Sequence, residues 1–339
     1  MSPFALLIFF LQFPLGLLLI SCIDINKKLT HTERYFATIV IGPTLTCFIL
    51  LCLLLLTGSW TFSIFALWAI LIIPLLFLLS KNESSFLIRF TLPKSLNYKY
   101  LSSIRFWILF TILILYSGIL FGGFLLNEQG FPVVISLGWA DTSYHLSMIG
   151  RLTTADPFIL EHPVISGQTL TYPFMLNLLT ALYQKIGFTL FTAWHLSNAL
   201  YGISFVFLIY LFGKRFLDSK ISAALLVGLV LFGGGIGFFL YFNDLSIALG
   251  KGGLSAFFNT IFNPPHEYTH LQFRDQGRDP AEYGIFHNIY WIVPAISFLS
   301  HQRTFLTGLA IAIVLLIGLY AYRGNKNIWR WSFIWAGIP

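Results

Sequence analysis

Hydrophobic residues run through this chain in long blocks broken by short polar intervals, with neither the strict alternation of strands nor the one-sided stripe of surface helices. Predominantly apolar blocks cover 3–22, 36–56, 60–80, 106–126, 189–213, 221–241 and 304–322. Each approaches the roughly 20 residues that a helix needs to cross about 30 Å of hydrocarbon. The pattern predicts an all-α, polytopic transmembrane bundle with seven spans. The first block has no basic start and no small-residue cleavage site, so it reads as a retained span and not a leader peptide. Leu170–Ile186 is also apolar, but counting it as a span breaks the charge pattern described below. It reads instead as an amphipathic helix on the membrane surface, ended by Gly187. Tyr290–Ser300 reads as a second interfacial piece, with Tyr290 and Trp291 at headgroup level. From Ile328 a further span opens, rich in Trp and Phe, and Pro339 cuts it short, as in a fragment of a longer chain.

Composition agrees: 57% of residues are hydrophobic and 10% charged, against about a quarter charged in soluble domains, and the mean hydropathy is +0.80. Charge sorts the loops. Segments 23–35, 81–105, 214–220 and 323–330 carry fourteen basic residues and four acidic ones, whereas 127–188 and 242–303 carry nine acidic and six basic. The positive-inside rule then places the short basic loops in the cytoplasm and both long loops outside a cell membrane. The net charge of +7 is thus a topology signal, and no basic stripe with interleaved aromatics points to nucleic acid. Cys22, Cys47 and Cys52 lie in or beside apolar blocks, without disulfide or metal spacing. Three regions follow: N-terminal spans over 1–105, a core with the two long loops over 106–322, and the start of another span over 323–339.

Candidate chemistry collects on the predicted outer side. Seven of the eight histidines fall on or near that side, beside carboxylates, which points to acid/base or metal chemistry. In the first long loop, Asp141 and His145 are four residues apart and share a face if helical. Asp141 suits a general base toward an acceptor hydroxyl, and His145 suits a metal ligand or a substrate contact. The plainer alternative makes Asp141 a helix N-cap and His145 an interfacial residue. Glu161, His162 and Tyr172 follow as further substrate or phosphate contacts, and Asp141, His145 and Glu161 are the candidate set for a divalent metal (Mg, Mn or Zn). In the second long loop, His266-Glu267-x-x-His270 is a literal zinc-protease pattern, with Glu282 as a weak third ligand. His301-Gln302-Arg303 stands at the edge of a span. An arginine at that depth needs a partner, and a phosphate headgroup fits its planar fork, unless the side chain simply snorkels to the interface.

Four stretches together resemble a known group: Asp141–His145, Gly167-x-x-Leu-x-Tyr172, Ala193-x-x-Leu-x-Asn-Ala-Leu-x-Gly202 and Gln302-Arg303-x-Phe-Leu-x-Gly308. They are similar to the GT-C superfamily of membrane glycosyltransferases, and most to large bacterial multi-pass proteins of that type. The resemblance spans roughly 106–322. It implies a polyprenyl-phosphate-linked sugar as donor, transfer on the outer side of the membrane, Asp141 as base, and Arg303 with His301 neutralising the leaving phosphate. Three spans precede the usual first one, and His195 stands where family members often carry Arg. A transporter is the rival reading, favoured by the Gly233-Gly-Gly235 interruption in the sixth block; a zinc protease on His266, Glu267 and His270 is a third.

Overall fold

A computed structural model describes residues 3–80, 103–134, 139–217, 219–235, 238–265, 293–300 and 302–332. It is an all-α bundle. Among the described residues, helices α1 (Pro3–Ile23), α2 (His31–Thr57), α3 (Trp60–Ser80), α4 (Ile104–Gly122), α7 (Leu190–Phe216) and α10 (Arg303–Ala321) are long and apolar. All six meet the length and hydropathy needed to cross a membrane. Between them lie α5 (Trp139–Thr154), α6 (Met175–Lys185), α8 (Lys220–Phe232) and α9 (Phe238–Phe262), with a two-stranded antiparallel hairpin, Phe124–Leu126 against Pro132–Val134.

The expected span over 221–241 is not one helix. α8 stops at Phe232, and the backbone turns through Gly234 and Gly235, both at positive φ, before α9 begins. Three consecutive glycines lower the cost of leaving the helix at this point, and two of them adopt conformations that a Cβ disfavours. α8 packs on α4 and α7, whereas α9 buries only Leu245 among its described residues.

The segment 170–186 also departs from expectation. α6 does end before Gly187, which takes a φ of +112°, but Leu176–Tyr183 are all buried. It is an internal wedge and not a surface helix. Tyr183 and Gln12 of α1 exchange hydrogen bonds at 2.9 and 3.1 Å, and Cys47 of α2 donates to the Met175 carbonyl at 3.4 Å. A helix of only 11 residues is too short to cross alone, and its buried Asn177 and Thr180 find partners inside the bundle.

One end of the bundle is tied by ions. Asp24, buried after α1, accepts from Tyr322 Oη at 2.6 Å, Arg34 Nε at 2.8 Å and the Lys28 amide at 2.8 Å. Glu33 pairs with Arg215 at the end of α7 and closes a capping box with Thr30, from which α2 starts. These contacts join the same ends of α1, α2, α7 and α10. Near the opposite end, Trp60 Nε1 donates to the Leu152 carbonyl at 3.0 Å and fastens α3 to α5.

α1 and α2 meet backbone to backbone through Gly16 and Gly42. A Cβ on Gly42 would stand 2.3 Å from the Gln12 carbonyl oxygen, so the small residue sets the helix separation. Gly42→Ala should therefore force α1 and α2 apart and lower stability by about 1–3 kcal/mol, read as a lower thermal midpoint in detergent.

Candidate functional site

α5 begins at Trp139, which puts Asp141 in its first turn and His145 one turn further along the same helix. Asp141 is therefore not the N-cap. A carboxylate here complements the helix dipole. Asp141 is half-buried and accepts from Gln302 Nε2 at 3.1 Å. His145 is fully buried, which replaces the interfacial position allowed by the sequence.

Arg303 opens α10 and is also fully buried. The expectation of an arginine facing a phosphate at the membrane edge gives way to an internal one. Its Nε donates to Asn198 Oδ1 at 2.7 Å and its Nη1 to Asn177 Oδ1 at 3.1 Å. Its Nη2 donates to Thr180 Oγ1 at 2.9 Å and Ser197 Oγ at 2.6 Å. The guanidinium carbon lies over the Trp194 ring, 3.8 Å from its centroid. Thr180 and Ser197 return their own protons to the Leu176 and Ala193 carbonyls, so each offers a lone pair inward. Among the described residues, no carboxylate pairs with it. A buried charge is tolerable only when its donors are satisfied; here uncharged oxygens and one aromatic face do so.

The cage continues to His145. Asn177 Nδ2 stands 2.9 Å from His145 Nδ1. Burial, and secondarily the nearby Arg303 charge, hold the imidazole pKa well below its ordinary value, against a smaller opposing pull from Asn177. His145 Nε2 is buried without a partner. The Tyr172 ring meets His145 at 5.8 Å and Tyr144 at 5.2 Å between centroids, both edge-on. Burial and then the Asp141 charge raise the Tyr172 pKa.

Tyr172, Pro173, Gln302 and Thr304 line one end of a cleft of about 470 Å³; Phe305, Gly308, Leu309 and Ala312 carry it along α10. From Thr304 to Ala312 it follows the helix for about 12 Å at 1.5 Å per residue. One end is polar and the other is oil.

Glu161 and His162 belong to a neighbouring loop. Glu161 forms an ion pair with Arg151 and accepts from the Gly167 amide at 2.6 Å and Ser166 Oγ at 3.4 Å. The Gly167 amide first and Arg151 second hold its carboxyl below the usual range. His162 Nδ1 accepts from the Val164 and Ile165 amides at 3.2 and 3.1 Å, which leaves its Nε2 to donate to Tyr144 Oη at 2.9 Å. Both residues organise the loop rather than face the cleft. Glu161 thus has one oxygen engaged by Arg151 and the other by the Gly167 amide and Ser166. The described residues hold no cluster of three or more His, Cys, Asp or Glu suited to a metal ion. His266, Glu267, Glu282, His270, Tyr290, Trp291 and His301 lie outside the described residues. His195 packs among Phe121, Phe124 and Phe191 in tilted and edge-on contacts.

Three of the four stretches behind the family resemblance meet at this point, through the Asp141–Gln302 hydrogen bond and the His145–Tyr172 contact, and the fourth supplies Asn198. No known protein family, curated sequence or solved structure matches the chain. The site therefore rests on its own geometry.

Asn177, Thr180, Trp194 and Ser197 were not singled out from the sequence. The signal existed: polar residues three apart on an apolar segment, and a Ser-Asn pair inside a span, are costly unless they have partners. Asn198→Ala should strand the Arg303 Nε and cost on the order of 3 kcal/mol, read by thermal unfolding, whereas Glu161→Gln at the exposed loop should barely move the midpoint. Protonation gives a second check. His145 regains its ordinary proton affinity on unfolding, so the unfolded chain binds more protons below about pH 6.5. Stability should fall as pH drops through that value, and His145→Asn should flatten the dependence.

Proposed function

We propose that this chain is an integral-membrane glycosyltransferase that moves a sugar from a polyprenyl-phosphate carrier to an acceptor hydroxyl at the extracytoplasmic face of a cell membrane. The observation that carries this reading is the Asp141 carboxylate, held by Gln302 beside the polar end of a cleft whose other end runs along a membrane-spanning helix. A lipid-linked sugar has the same division: a hydrated head on a greasy tail.

In this reading Asp141 accepts the proton of the acceptor hydroxyl as its oxygen attacks the anomeric carbon. The bond to the carrier phosphate breaks on the opposite face, and the phosphate leaves with the electron pair. Gln302 orients the carboxylate, and Tyr172 and Thr304 are placed to meet the headgroup. Phe305, Leu309 and Ala312 would lie against the first isoprene units. Arg303 contributes no direct phosphate contact, because its cage holds it away from the cleft. Its unneutralised charge, close by in a region of low dielectric, still favours an anion at the polar end.

A transporter is the second reading, favoured by the glycine break between α8 and α9 and by a buried cation at the start of a span. Turnover separates the two. Asp141→Asn should abolish transfer from a polyprenyl-phosphate sugar in reconstituted vesicles and leave the thermal midpoint within about 1 kcal/mol of the parent. Retained transfer would remove Asp141 as base, and solute flux without transfer would favour the transporter.

A further inference from the structure

Arg303, Asn177 and His145 form a line in which each partner dictates the next. A guanidinium only donates, so the Asn177 atom facing Nη1 at 3.1 Å must be its oxygen. That places the Asn177 NH2 toward His145 Nδ1 at 2.9 Å. An amide nitrogen also only donates, so Nδ1 accepts, and the proton of the neutral ring resides on Nε2. Nε2 is then a buried N–H with no partner. A buried donor left unsatisfied is costly enough that it implies a missing acceptor.

The neighbours of that ring indicate the acceptor's setting. Tyr172 lies edge-on against His145 and also lines the polar end of the cleft. Asp141 precedes His145 by one helical turn on the same helix, and Arg303, bonded to the far side of Asn177, is the charge nearest the ring that disfavours a second cation there. We infer that Arg303 and Asn177 are positioning residues that lock His145 as an Nε2–H donor, and that this N–H binds a phosphate oxygen of the lipid-linked substrate past the edge of Tyr172. The assignment of the ligand rests on the proposed function; the locked tautomer does not.

Asn177→Asp tests the lock. A carboxylate at 177 still accepts from Arg303, now as an ion pair, so the fold keeps its anchor, but it can only accept from His145 and draws the ring proton to Nδ1. In full-length protein with 15N-labelled histidine, imidazole shifts should report Nε2–H for His145 in the parent and Nδ1–H, or a cation, in Asn177→Asp. Farnesyl phosphate should move the parent's His145 signal, and farnesol should not.

Substitutions at 145 separate the two ring nitrogens. A glutamine amide reaches the position of Nε2 and an asparagine amide that of Nδ1. His145→Gln should keep affinity for farnesyl phosphate near the parent's, while His145→Asn and Asn177→Asp should weaken it about ten- to a hundredfold. An Nδ1–H ring or an imidazolium in the parent overturns the lock. A correct tautomer that ignores farnesyl phosphate overturns the donor role, even if Asp141→Asn still abolishes transfer. Loss of transfer in Asp141→Asn, with all 145 and 177 variants binding alike, leaves the glycosyltransferase reading standing and removes this one.

Discussion

The buried guanidinium of Arg303 is the constraint from which the rest of the site follows. Taking a cation out of water costs several kcal/mol even after relaxation, and an arginine that starts a membrane-spanning helix has nowhere to hide it except among other helices. α6 and α7 supply the four oxygens, and α7 the Trp194 face. Because the fork is rigid, its acceptors must stand in fixed places. That requirement gives the short α6 a single depth and rotation, with Asn177 and Thr180 turned inward three residues apart. It also explains why a segment too short to span is buried over eight consecutive residues.

The cage in turn decides what the cleft presents. His145 is held by Asn177, and Asp141 sits on the same helix one turn away, so the orientation of α5 is anchored from inside the bundle while its acid meets Gln302. Gln302 and Arg303 are adjacent in sequence yet serve opposite sides of the helix start, one at the cleft and one in the interior. The nearby loop is self-contained by comparison. Glu161 and His162 satisfy backbone amides, Arg151 and Tyr144, which fixes the loop beside α5. At the far end of the bundle, the Asp24 and Glu33 networks hold α1, α2, α7 and α10 in register. These pairs are partly or wholly buried and bonded to backbone as well as to each other, which gives them more weight than exposed ion pairs.

Much of this was legible from residue types alone. Six of the seven expected spans are present as single long helices, because roughly 20 apolar residues without a charge have few alternatives in a chain this hydrophobic. The Thr30-x-x-Glu33 capping box, not singled out from the sequence, starts α2 about a turn earlier than the apolar block indicated. The pairing of Asp141 with His145 one turn apart also follows from spacing. Hydropathy could not give the break at Gly233–Gly235, since glycine scores as neutral while its conformational freedom ends the helix. Nor could it give the depth of α6, because an amphipathic pattern describes a surface helix and a helix with a polar face against an internal arginine equally well.

The sequence by itself determined the all-α membrane architecture, the position of most spans and the clustering of histidines and carboxylates in the two long loops, because these depend on local composition and chain length. Tertiary structure alone decided which oxygens surround Arg303, that Asp141 meets Gln302 161 residues away, and that Glu161 pairs with Arg151. Hydrogen bonds between distant segments depend on the relative depth and rotation of packed helices. That information is a property of the assembled bundle, absent from any one stretch of chain.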